Sequence, residues 1–231
     1  MSAAAVTVLL SSVHTGLTYW RDPRIHNLGN VGVGGTVHAC VAPYATRLID
    51  RLAYGGVDVR ARLWEEELAD AETVVDLCCG TGLSTRPHNA IGVDTSAPML
   101  WRARRRRAPS AANVTFVWGN AETWGERASA DAASVCFALH EMPAAGRRKV
   151  LRNALRVARA KVVVMDITPT YTPSPLMLSG EPYLPNYLSN VHGDVAAVLD
   201  ATGGAWKLQR FHHPLPPVGM WTLVPQAVVP P

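Results

Sequence analysis

The chain is poor in cysteine. Its 231 residues hold only Cys40, Cys78, Cys79 and Cys136. Cys78 and Cys79 are adjacent in what reads as a strand, and neighbours on a strand point to opposite faces. No disulfide spacing and no metal-ligand spacing emerges. The expectation is buried free thiols in a reducing compartment, hence a cytoplasmic protein with no metal. Long apolar runs are also missing. The longest early one, Ala3 to Leu10, falls far short of the roughly 20 residues that span a bilayer. It has no basic flank, so no signal peptide is expected. Charge is scarce at 17%, and the net value of +4 is too mild to argue for nucleic acid. No internal repeat is present. What the chain does have is apolar material, 48% of its residues, enough for a sizeable core in one domain or one domain with an appendage.

The stretch that organises the chain is Val74 to Thr85, VVDLCCGTGLST. Val74 to Cys78 reads as a strand covered on both faces. It runs into the turn Gly80-Thr81-Gly82, with a helix expected just after it. Gly80 and Gly82 let the backbone turn sharply and approach a ligand closely. Asp76 sits near the carboxyl end of the strand, where open α/β sheets bind ligands. A second strand, Ile91 to Asp94, ends in an acid 14 residues after Gly80. An acid there accepts hydrogen bonds from both hydroxyls of a ribose. A dinucleotide fingerprint requires a third glycine where Thr85 stands and an acid about 20 residues on. Asp76 at the head of the turn repels a pyrophosphate and attracts an ammonium.

D-x-x-x-G-x-G followed by G-V-D resembles the motifs of class I S-adenosylmethionine-dependent methyltransferases, in particular the small-molecule group related to the menaquinone and ubiquinone enzymes. The resemblance covers residues 73 to 167. It implies S-adenosylmethionine as cofactor, with Asp76 meeting its ammonium directly or through water and Asp94 its ribose. It places Cys78, where the family usually has glycine, together with Gly80 and Gly82 along the cofactor. Thr95 and Met99 follow the ribose acid, with Met99 packing near the adenine. Asn120 and Ala121, in Gly119-Asn120-Ala121-Glu122, read the adenine edge. Phe137 opens the segment Phe137-Ala138-Leu139-His140-Glu141, whose L-H-E ending puts His140 beside the transferred methyl as base, substrate ligand or wall. Asp166, at the end of the fifth strand, orients the acceptor or caps.

The implied fold is α/β: a Rossmann-like, seven-stranded, mostly parallel sheet with helices on both faces and an N-terminal helical cap. Residues 1–70 are read as the cap and 71–231 as the methyltransferase core. Strands are expected at Val74–Cys78, Ile91–Asp94, Val114–Trp118, Ala133–Leu139, Lys161–Ile167, Trp206–His212 and Met220–Val224, the last two antiparallel. Helices are expected at His38–Ala53, Arg60–Ala69, Pro98–Arg107, Ala144–Arg159 and Leu188–Thr202. Asn27 to Gly35 reads as loop. Thr168 to Pro185, with five prolines, reads as an irregular lid. Tyr19, His26, Tyr183 and Tyr187 are the candidate acceptor-binding residues, and Trp20, Tyr44 and His192 lie in the same closing segments. The arginines at 102 and 104–107 read as a solvated helix face, with Trp101 turned to the core.

The expected activity is direct, in-line methyl transfer to a small molecule, giving S-adenosylhomocysteine. Such chemistry depends on positioning more than on acid–base groups. The alternatives are an NAD-dependent oxidoreductase and a non-catalytic module that binds the same cofactor. No N/D-P-P-Y sequence is present, which lowers the odds of a nucleic-acid base as acceptor. No nucleic-acid partner and no membrane span are expected, and the oligomeric state is left open.

Overall fold

A computed structural model describes residues 18–86, 89–106 and 113–226. The Ala3–Leu10 run and Arg107 lie outside them. Seven strands form one sheet: β1 (Thr73–Leu77), β2 (Asn89–Asp94), β3 (Val114–Trp118), β4 (Ala130–Cys136), β5 (Ala158–Ile167), β6 (Trp206–Leu215) and β7 (Val218–Pro225). Their order is β3-β2-β1-β4-β5-β7-β6. The first five are parallel. β7 runs antiparallel to both β5 and β6. The chain winds outward from β1 to β3, then crosses back to β4 on the other side of β1. That reversal opens a crevice at the carboxyl ends of β1 and β4, the usual ligand position in such sheets.

The helices are α1 (Gly32–Ala53), α2 (Val59–Leu63, continued by a π-helical turn at Trp64–Leu68), α3 (Ala97–Arg106), α4 (Ala144–Val157), α5 (Pro175–Gly180) and α6 (Leu184–Asp200). Alternation along the strands divides the core in two. Val75, Leu77, Val162 and Val164 pack with Leu151 and Ala154 of α4 and Val191 and Val195 of α6. Val74, Val163 and Met165 pack with Leu63 of α2 and Leu100 and Ala103 of α3. The central strands β1, β4 and β5 thus bury both faces, which is why these segments read as apolar runs.

Several expectations are corrected. No helix follows the Gly80 turn among residues 78–86, and β1 stops at Leu77, so Cys78 and Cys79 belong to the turn. Helix α1 starts at Gly32, inside the segment read as loop. A Cβ at Gly34 would lie 1.9 Å from the Leu28 carbonyl oxygen, and one at Gly35 2.5 Å from Asn30. These glycines let the chain fold back tightly onto the first helical turn and do not break it. The proline-rich segment is helical in part. Pro175 opens α5 behind Ser174, whose hydroxyl accepts from the Met177 N–H at 3.2 Å, and Pro185 stands in the first turn of α6. Proline is well placed where no helical N–H is needed. Trp101 is 46% exposed, with the Arg105 guanidinium 4.7 Å from its ring centre. Cys40 is exposed, whereas Cys79 and Cys136 are buried; all four cysteines are free.

Among the described residues no helix is long and apolar enough to cross a membrane.

Candidate active site

A cavity of about 850 Å³ lies over the carboxyl ends of β1, β2 and β4. It is at the upper end of the roughly 300–1,000 Å³ typical of small-molecule sites. Residues from the turn after β1 form one wall, and the Leu139–Glu141 turn after β4 forms another. Tyr19, Trp20, His26 and the inner face of α1 close it from above.

The β1 turn depends on left-handed backbone. Gly80 has φ +52° and Cys78 φ +62°. A Cβ at Gly80 would meet nothing within 4 Å, so this backbone faces open space. Cys78, standing where the resembled family has glycine, adopts the conformation that glycine favours. The Gly80 N–H donates to Asp94 Oδ2 and the Ser96 N–H to Asp94 Oδ1, both at 2.8 Å. One lone pair on each Asp94 oxygen remains for a ligand. Burial pushes the Asp94 carboxyl up, against these two donors, to about 6. Thr95, Met99, Asn120, Ala121 and Phe137 line the cavity beside it. Asn120 Oδ1 accepts the Glu122 N–H at 2.9 Å, which orients the side-chain amide. Phe137 carries the Arg60 guanidinium 4.5 Å from its ring centre.

His140 is buried (7% exposed) yet lines the cavity. Its Nδ1 lies 2.6 Å from Asp166 Oδ1. Asp166 also accepts the N–H groups of Leu139 (2.9 Å), His140 (3.2 Å) and Ile167 (2.8 Å). These contacts lock the carboxylate, and the carboxylate in turn fixes the ring. Burial alone would lower the imidazole's pKa, but the Asp166 charge, reinforced by Glu181 and Glu141, outweighs it and raises the value to about 9. With Nδ1 engaged, Nε2 is the ring atom left for a ligand.

Four candidates lie elsewhere. Asp76 is 0% exposed. The hydroxyls of Ser84 (3.0 Å), Thr85 (2.6 Å) and Ser134 (3.0 Å) donate to its carboxylate. It staples the turn to β1 and β4 and does not line the cavity. The hydroxyl-rich end of the turn folds back over it, so its carboxylate does not itself face the cavity. Gly82 also faces inward: a Cβ there would lie 2.7 Å from the Phe116 ring, so this glycine is required for packing. Tyr187 is buried, its hydroxyl donating to the Ile167 carbonyl at 2.7 Å. The Tyr183 hydroxyl donates to Asp22 at 3.1 Å. Tyr19 and His26 do line the cavity. Tyr44 points outward, and His192 packs on Phe211 and Trp221.

The structure adds residues that the sequence did not single out: Glu141, Glu181 and His38, all gathered around His26. Glu141 follows His140 directly, and this adjacency was the one available signal. His26 has φ +52°, a strained conformation for a non-glycine residue of the kind that concentrates at functional sites. Among the described residues no cluster suited to a metal ion occurs.

The donor set suits a nucleoside joined to an amino acid. Asp94 offers free lone pairs for vicinal hydroxyls, Asn120 and Ala121 offer polar groups for a base edge, and Gly80 leaves open space for the linking chain. Residues 74–169 match the family model described as a methyltransferase domain. No curated protein matches the chain. Among solved structures, magnesium protoporphyrin IX methyltransferase from Synechocystis PCC 6803, with bound SAM, is similar at 15% identity and a TM-score of 0.54, over 95% of this chain and 96% of that one. A SAM-dependent methyltransferase from Thermotoga maritima, a possible histamine N-methyltransferase, is similar at 18% identity and a TM-score of 0.55, over 82% of this chain and 99% of that one. Residues 74–169 thus match a methyltransferase domain, and the sheet order and strand-end motifs around that match are consistent with the class I S-adenosylmethionine-dependent kind.

Proposed function

We propose that the protein methylates a small-molecule acceptor held inside the cavity under α1 and the Pro175–Gly180 region. The observation that carries this reading is the shared cavity: Asp94, Gly80 and Asn120 lie on one wall and His140, held from behind by Asp166, on another. When bound, S-adenosylmethionine supplies an electrophilic methyl group. Asp94, Thr95 and Gly80 hold the sugar and chain of the donor, and Met99, Asn120, Ala121 and Phe137 hold its base. Residues Tyr19 to Tyr54 close over the cavity and exclude water, which preserves the alignment of the two reactants. Asp166 keeps the proton on His140 Nδ1, so that Nε2 in the neutral ring accepts a proton from the acceptor. Asp166 is therefore a positioning residue.

The test is release of S-adenosylhomocysteine from S-adenosylmethionine across a metabolite panel, read by mass spectrometry for a product heavier by one methylene. Turnover only on macromolecules would contradict a small-molecule acceptor. The cofactor side carries its own prediction. Asp94→Ala loses hydrogen bonds to a charged acceptor worth about 1.5–3 kcal/mol each, so calorimetry should show S-adenosylhomocysteine bound at least about tenfold more weakly. The pH dependence follows from the same group. Above pH 6 Asp94 is ionised and accepts from both hydroxyls; below it the carboxyl is protonated and accepts less well. Affinity for S-adenosylhomocysteine should therefore fall as pH drops through about 6, and this step should be absent in Asp94→Asn.

A further inference from the structure

We propose that the acceptor carries a cationic amino group, anchored by Glu181 and Glu141 at the end of the cavity bridged by His26. This rests on the methyl-transfer reading above and adds to it the chemical class of the acceptor.

The bridge is made by one ring between two acids. His26 Nε2 lies 2.9 Å from Glu141 Oε1, and His26 Nδ1 lies 2.7 Å from Glu181 Oε1. A neutral imidazole has a single N–H and can donate to only one of these carboxylates. The ring can present a proton to both carboxylates at once only when it carries its second proton. Burial works against that charge, but the two carboxylates outweigh it and raise the ring to about 10. His26 correspondingly holds the Glu141 carboxyl down at about 2, against the effect of burial. One cation thus serves two anions.

The other charged groups nearby do not restore the balance. His38 stacks on His26 with ring centres 4.2 Å apart. Burial, followed by the His26 charge, lowers its pKa to about 4, so it stays neutral at physiological pH. His140 is neutralised by Asp166. Arg60 pairs with Asp50, and Arg24 with Asp22. One negative charge is left over at this end of the cavity.

The residual charge has a definite address. Glu181 is 3% exposed, and its Oε2 is buried without a hydrogen-bond partner among the described residues. Both glutamates line the cavity. A buried carboxylate oxygen lacking a donor is costly unless a ligand supplies one. An ammonium N–H satisfies Oε2 and balances the charge at once. The surrounding walls are apolar and aromatic, from Tyr19, Trp20, Met142, Tyr171 and Met177, which suits a hydrocarbon or aromatic body attached to that amine and adds attraction for a cation. An amine held as ammonium has no lone pair to attack with. The anchored nitrogen is thus a handle, and the methylated atom is another atom of the acceptor, nearer His140.

Binding to the full chain saturated with S-adenosylhomocysteine tests this by calorimetry. The probes share one skeleton and differ in charge: 2-phenylethylamine, 2-phenylethanol and phenylacetate. At neutral pH the amine should bind at least tenfold tighter than the alcohol, with the carboxylate weakest. Glu181→Gln, which keeps the shape and removes the charge, should cut the amine's affinity at least tenfold and leave the alcohol and S-adenosylhomocysteine unchanged. Glu141→Gln provides a second variant should the first fold poorly. An amine bound no tighter than the alcohol, or equally well by both variants, would overturn the anchor and leave the methyltransferase reading standing. Failure of S-adenosylhomocysteine to bind the folded protein would overturn both.

Discussion

Replacing His140 by alanine is expected to lower kcat by about 10²–10⁴-fold, the usual contribution of a positioned acid–base group, while S-adenosylhomocysteine binds as before. The separation follows from the site's layout: His140, held by Asp166, stands on the β4 side of the cavity, and Gly80, Asp94 and Asn120, assigned to the cofactor, stand on the β1–β3 side. The pH profile makes the role specific. Asp166 holds the ring protonated up to about pH 9, and only the neutral ring accepts a proton, so kcat/KM should rise with pH and level off above about 9. In Asp166→Asn the charge that retains the proton is gone. The rising limb should move to lower pH, and the plateau should fall because the ring is less well held. Were His140 merely a wall of the cavity, neither the limb nor its displacement would be seen.

Replacing Arg147 by alanine should unfold the protein's support for this wall. Arg147 is 0% exposed and Asp194 1%. Arg147 Nε donates to Asp194 Oδ2 at 2.7 Å, Nη1 to the Met142 carbonyl at 2.7 Å and Nη2 to Asn186 at 2.8 Å. One guanidinium thus ties α4, α6 and the segment just after His140-Glu141 together. Removing it leaves a buried carboxylate with only Arg148 as partner. Breaking a buried pair in this way costs about 3–5 kcal/mol, whereas replacing both members by apolar residues is often close to neutral. Urea denaturation should show the full loss in Arg147→Ala and a much smaller one in Arg147→Met combined with Asp194→Leu. Equal losses in the two variants would mean that packing volume, not the isolated charge, sets the cost.

The central sheet was legible because its strands bury both faces and end in polar residues. Val74–Leu77 and Val162–Ile167 carry that pattern plainly, and Asp94 follows from the spacing to Gly80. The burial of Asp76 was not legible, because its partners, Ser84, Thr85 and Ser134, are hydroxyls whose return to the carboxylate depends on the path of the turn. The helices at Gly32 and Pro175 were obscured by residues that normally break helices but here serve close packing or a first turn. The His26, Glu141 and Glu181 cluster was invisible for a different reason. His26 and Glu181 lie far apart in the sequence, and nothing local in either segment records the meeting. Tyr183 and Tyr187 lie in the right segment, but the helical turn of α6 carries them away from the cavity.

Calorimetric titration of the folded chain with S-adenosylhomocysteine tests the cofactor assignment most directly. One-to-one binding that Asp94→Ala weakens at least about tenfold is the predicted result. No binding, or binding that the Asp94 substitution leaves unchanged, would contradict the assignment of the cavity beside Gly80 and Asp94 to this cofactor.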